Sequence, residues 1–301
     1  MNQRQSTGYL YAFGASLALA ASFVFSKSAL NHLTMVQFGL IWFSMGVVWN
    51  GAWFLARGEP RTLKDSFKAK TNVAIVIAVL EGAATGLFYM AIKEMENPAV
   101  VSFIGNIGPV FVTMMGITLL RERFRNSQVV GIIITITGIF VINYREGGFV
   151  GFLDPGSAYV IGASLLFSVA TIVGRKHHKM LIPGYMSLIR SFLLAAVMLI
   201  LFLSDSQMPQ LVTALWRDLS IGSLLETLIV IVFAYQALKL IEATKTSLII
   251  SSKGVWTLVL AWIFLGVFPT LLQLIGGGLT LIGVWLITWD RPVIHRGYSD
   301  K

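Results

Sequence analysis

Cysteine is absent from all 301 residues, which removes disulfides, thiolate nucleophiles and thiolate metal sites from consideration. Charge is scarce too: Asp, Glu, Lys and Arg make up 12% of the chain, about half of what a soluble domain carries. Histidine is limited to His32, His177, His178 and His295, all outside or at the ends of long apolar runs. No aspartate falls within a predicted span. A catalytic centre at membrane depth needs a nucleophile with its base, or a set of metal ligands, and these runs supply neither. No glycine-rich loop ends in Lys-Ser or Lys-Thr, so direct drive by a bound nucleotide is not expected. The reading is therefore of a protein that is not an enzyme and carries no cofactor or metal. Gly14-Ala15-Ser16 and Gly162-Ala163-Ser164 imitate part of a serine nucleophile motif, but their duplication marks them as scaffold.

What the chain does have is apolar length. Hydrophobic residues make up 56% of it and mean hydropathy is +0.77. A hydrocarbon core about 30 Å thick needs about 20 apolar residues per helix. By that measure spans are predicted at 8–30, 35–56, 72–92, 98–120 and 127–144, then at 155–174, 181–203, 219–241, 244–266 and 269–289. Pro98, Pro155 and Pro269 sit near predicted first turns, where the missing N–H costs little. Ala18-Leu19-Ala20 looks like a signal cleavage site, but the apolar run continues to Leu30, so the segment is read as a span.

A net charge of +9 could suggest nucleic acid, yet the basic residues form no single patch. They collect instead in alternate connections: Arg57, Arg61, Lys64, Lys68 and Lys70; Arg121, Arg123 and Arg125; Arg175, Lys176 and Lys179; Lys239 and Lys245. Arg4, Arg291, Arg296 and Lys301 join them at the termini, leaving Lys27, Lys93, Arg145 and Arg217 for the other side. Because cytoplasmic loops accumulate Lys and Arg, both termini are expected in the cytoplasm, with the protein in a bacterial-type inner membrane.

The chain also matches itself. Gly14-Ala15-Ser16-Leu17 recurs as Gly162-Ala163-Ser164-Leu165, with Lys27 falling on Arg175 at the same spacing. Further on, Tyr89 aligns with Tyr235, Ala91 with Ala237, Lys93 with Lys239, Glu96 with Glu242, Gly108 with Gly254, Gly131 with Gly277 and Arg145 with Arg291. Two units of five spans, residues 1–146 and 147–301, must then enter the bilayer from opposite faces. The predicted fold is an all-α membrane protein of ten transmembrane helices in two inverted five-helix repeats, with a binding site near the midplane where they meet.

These features resemble the drug/metabolite transporter superfamily, in particular its EamA-type members. The resemblance rests on Ala21-Ser22-Phe23-Val24-Phe25-Ser26-Lys27-Ser28-Ala29-Leu30 in the first span and Leu188-Ile189-Arg190-Ser191-Phe192 in the seventh. It continues through Pro109, Leu119-Leu120-Arg121-Glu122-Arg123, Gly131 and Gly138. It implies a central cavity lined by the first, third and fourth helices of each repeat, peripheral fifth and tenth helices able to form a homodimer contact, and export of amino acids or other small metabolites. The chain departs from the family pattern at Trp42, where the repeat of Arg190 is often arginine, and in lacking an acidic residue in Phe264-Leu265-Gly266-Val267-Phe268-Pro269.

Ionisable groups deep in a span cost roughly 2.5–3.5 kcal/mol each on insertion scales and are functional by default. Glu81 and Lys253 are expected at similar depth and are read as a substrate-binding pair, with Glu81 the candidate for proton coupling. Arg190 and Glu226 are read as a second charge pair or gate. Asn106, Gly108 and Pro109 should interrupt the fourth span, and Ser251, Ser252, Lys253 and Gly254 the ninth, freeing backbone groups for a ligand. Phe23, Tyr89, Tyr235 and Trp256 are candidates for aromatic walls. The glycines Gly131, Gly138, Gly276, Gly277, Gly278 and Gly283 read as helix-packing surfaces. Paired charges favour amino acids or related polar metabolites as cargo, with choline-like cations, nucleoside derivatives and lipid precursors as alternatives; an enzyme or a channel ranks lower.

Overall fold

Residues 3–56, 71–120, 126–144, 154–176, 183–205, 213–241, 246 and 249–288 are described by the computed structural model. The connections that carry most of the orienting charge, and the repeat markers Arg145, Glu242 and Arg291, lie outside these residues, as do the side chains of Arg175 and Lys239.

Every described element is helical. In order they are α1 (Gln3–Leu30), α2 (Met35–Ala56), α3 (Thr71–Glu94), α4 (Pro98–Ile104), a 3-10 turn (Gly105–Ile107), α5 (Gly108–Leu120) and α6 (Asn126–Ile142). Then follow α7 (Pro155–Lys176), α8 (Pro183–Asp205), α9 (Thr213–Leu224), a π-helical turn (Leu225–Ile229), α10 (Val230–Leu240), α11 (Lys253–Leu265) and α12 (Leu271–Thr288). Among the described residues seven helical stretches are long and apolar enough to cross a membrane, and Asn126–Ile142, Ile249–Leu265 and Leu271–Ile287 are shorter apolar helices. The chain is an all-α membrane protein.

Local chemistry sets the ends. Asn97 caps α4 by accepting from the Ala99 N–H at 2.9 Å, with Pro98 in the first turn, where no donor is missed. α2 and α12 each begin with a reciprocal capping box, Thr34 with Gln37 and Thr270 with Gln273. The span predicted from residue 269 therefore starts as α12 at Leu271, and Pro269 lies in the connection before it. α11 ends at Gly266, whose φ of 67° is left-handed, the conformation a glycine adopts without penalty.

One predicted boundary moves, and one charge predicted at an outer end is buried. The span predicted from residue 219 begins as α9 at Thr213, which brings Arg217 and Asp218 into it, so the expectation that no aspartate lies inside a span is corrected. Asp218 is 5% exposed and its charge is answered locally: Ser28 Oγ donates to it at 2.6 Å and Arg217 Nη2 at 3.0 Å. Lys27, assigned by the sequence to an outer end, is buried within α1 and donates to the Lys93 carbonyl at 2.9 Å. The expected interruption of the fourth span is the 3-10 turn at Gly105–Ile107.

Helix pairing is reciprocal between the two halves of the chain. α1 packs on α9, the π turn, α10 and α11, while α7 packs on α3 and on α4 and α5; α2 pairs with α8, and α6 with α12. The last contact is the closest. A Cβ on Gly131 would lie 2.7 Å from the Gly283 carbonyl oxygen, and one on Gly138 would lie 2.7 Å from that of Gly276. The glycine faces of α6 and α12 are thus used against each other within one chain. Phe38, Trp42 and Phe43 on α2 enclose Tyr89 of α3, with ring centroids 5.0, 5.6 and 6.0 Å away.

Candidate functional site

A cavity of about 300 Å³ lies where α1, α3, α7, α8, α10, α11 and the 3-10 turn converge, a volume at the small end of ligand sites. Its walls are apolar and aromatic: Leu19 and Phe23 from α1, Phe88 and Tyr89 from α3, Phe167 from α7, Val230 and Ile231 from α10. Phe23 and Phe88 touch with centroids 5.0 Å apart. Gly105 and Gly108, at the two ends of the 3-10 turn, present backbone with no side chain in the way. Polar groups are few: Thr85, Ser164, Arg190, Glu226 and Lys253.

Arg190 and Glu226 form a buried ion pair, Nη2 to Oε1 at 2.8 Å, with side chains 9% and 10% exposed. Glu226 reaches this position from the π turn, whose wider winding breaks the α-helical register of the eighth span. The turn is held from outside: the Thr227 carbonyl accepts from Ser187 Oγ at 2.7 Å and from Asn50 Nδ2 at 3.3 Å. The second carboxylate oxygen of Glu226 faces Trp42 Nε1 at 3.5 Å. Trp42 and Arg190 therefore both converge on Glu226. Gly222 makes room for this, since a Cβ there would collide with the Trp42 ring.

Glu81 and Lys253 do not pair. Lys253 lines the cavity, and while its carbonyl accepts from Thr257 Oγ1 at 2.8 Å, its ammonium has no hydrogen bond, ion pair or electrostatic partner among the described residues. Glu81 sits one turn before Thr85, outside the lining, within electrostatic range of Arg190 and Glu226. Similar depth along two helices fixes height and leaves the facing direction open, and α3 turns Glu81 toward α8.

Of the other residues singled out by sequence, Phe23 and Tyr89 line the cavity, while Asn106, Ser252 and Trp256 make contacts elsewhere. Asn106 is buried and donates to Thr280 Oγ1 of α12 at 3.3 Å. Ser252 donates to the Ile249 carbonyl at 2.6 Å and meets Ser16 Oγ of α1 at 3.1 Å. Trp256 packs edge-on against Phe13, 5.1 Å between centroids. Tyr235 is 40% exposed. Sequence reasoning missed Thr85, Phe88, Ser164 and Phe167. The signal for the first two was present, since Thr85, Phe88 and Tyr89 fall on one face of α3 at spacings of three and four.

The profile of the EamA-like transporter family matches the chain over residues 6–144 and over 154–289. An uncharacterized transporter of Archaeoglobus fulgidus is 29% identical over 206 residues, 65% of this chain and 69% of that protein. An uncharacterized transporter of Synechocystis is 26% identical over 263 residues, 82% of this chain and 72% of that protein. A protein of known crystal structure shares the fold with a TM-score of 0.67 at 17% identity, over 93% of this chain and 96% of that one. The chain belongs to the EamA-like transporter family of the drug/metabolite transporter superfamily.

Proposed function

We propose that the protein is a secondary carrier that exports small polar metabolites, amino acids and related compounds foremost, by alternating access to the cavity described above. Its two halves, residues 1–146 and 147–301, act as inverted five-helix units that rock against each other, with both termini in the cytoplasm of a bacterial-type inner membrane.

One observation carries this reading. The cavity lies where the two halves meet and draws most of its lining from the first, third and fourth helices of each: α1, α3 and the Gly105–Gly108 break from one half, α7, the Glu226 to Ile231 segment and α11 from the other, with Arg190 of α8 added. Helix pairing supports it as well. Exchanging the halves turns the contact of the first helix with the eighth and ninth into that of the sixth with the third and fourth, and leaves the second–seventh and fifth–tenth pairs as they are. The family profile falls once on each half.

A carrier exposes its site to one side at a time, so it saturates and exchanges cargo across the bilayer; a channel does neither. Proteoliposomes loaded with unlabelled amino acid should accumulate labelled amino acid transiently against its gradient. Flux that neither saturates nor shows counterflow would remove the carrier mechanism.

A further inference from the structure

We propose that Lys253 is the anion anchor of this cavity, and that the cargo class is small organic carboxylates with a planar apolar body, for which an amino group is dispensable. The assignment rests on the carrier reading and names the class of substrate that its site takes.

The argument is an inventory of donors and acceptors. A lysine facing a cavity inside the bilayer is costly unless something answers its charge. No carboxylate among the described residues does so. The one acidic side chain on the cavity wall, Glu226, is engaged at both oxygens, by Arg190 and by Trp42. Arg190 in turn keeps its buried Nε–H without a hydrogen-bond partner. On the cavity wall cationic donors are thus in surplus and the one carboxylate is committed; Glu81, near Arg190, lies outside the lining. A ligand ammonium entering the cavity meets no free carboxylate on its wall, whereas a ligand carboxylate meets an unpaired ammonium. A charge-assisted hydrogen bond in a site of low polarity is among the stronger ones available. Phe23, Phe88 and Phe167 supply aromatic faces for the remainder of the molecule, and a volume of about 300 Å³ suits a small ligand.

Three probes of matched size separate the two charges: 3-phenylpropionate, which has only the carboxylate, 2-phenylethylamine, which has only the amine, and phenylalanine, which has both. Thermal unfolding of the purified full-length protein in detergent, titrated with each, should show stabilisation by 3-phenylpropionate and phenylalanine and none by the amine. Lys253→Gln should weaken both carboxylates by about tenfold or more, and Lys253→Arg should hold them within a few-fold of wild type. Stabilisation by 2-phenylethylamine equal to or above that by 3-phenylpropionate overturns the assignment. So does wild-type protein that responds to neither carboxylate, or unchanged carboxylate affinity in Lys253→Gln. If that variant does not fold, the wild-type charge preference and Lys253→Arg decide. Counterflow of a cation that is indifferent to carboxylates would sink the anchor and leave the carrier; carboxylate binding without counterflow would do the reverse.

Discussion

Breaking a buried ion pair from one side strands the other charge, so its loss is felt more strongly than its presence is rewarded. Arg190→Ala or Glu226→Gln should therefore lower stability by roughly 3 kcal/mol, read in thermal melts, with the double replacement milder than the sum of the two. Additive losses would mean that the two side chains do not act as a pair. Glu81 lies within range of this pair and faces Arg190 and Glu226 but not the cavity, which suits a proton site coupled to the pair. Glu81→Gln should flatten the dependence of transport on an imposed pH gradient while counterflow persists, and unchanged coupling would take Glu81 out of the mechanism. At this scale the sequence pointed to several residues that line the cavity, because an ionisable group in an apolar run stands out. Lys253, Arg190, Glu226, Phe23 and Tyr89 all line the cavity for that reason or by aromatic spacing. It was silent on azimuth, which is why Glu81 was matched with Lys253. It missed Asp218 because a hydropathy scan stops at a charge, even one answered by Arg217 and Ser28.

Helices meet closely here only where glycine allows it. Gly138 faces the Gly276 carbonyl and the Thr280 N–H across the contact of α6 with α12, whereas Gly51 on α2 has no atom within 4 Å of a built Cβ. Gly138→Ala should cost about 1–3 kcal/mol by forcing the helices apart, while Gly51→Ala should cost nothing and can gain up to about 1 kcal/mol of helix propensity. Equal effects in thermal melts would mean that the α6–α12 contact is not tight. The glycine pattern was visible in the sequence as a packing surface, as was the break at Gly105–Ile107, announced by Gly108 and Pro109. The π turn at Leu225–Ile229 had no such announcement. It depends on Ser187 and Asn50 from α8 and α2, and contacts so distant in sequence leave no local mark.

For the molecule as a whole, the all-α membrane class was legible because apolar length is a property of the chain in one dimension. The cavity was not, because it arises from how the two halves close on one another. The carrier function proposed for it requires those halves to cross the bilayer in opposite senses. The absence of cysteine makes that directly measurable without background. Ser66→Cys, in the connection between the second and third spans, and Ser206→Cys, at the equivalent place between the seventh and eighth, are each treated with a membrane-impermeant maleimide in intact cells. Inverted halves predict that Ser206→Cys is labelled at once and Ser66→Cys only after the membrane is opened; labelling of both from the same side would contradict the account.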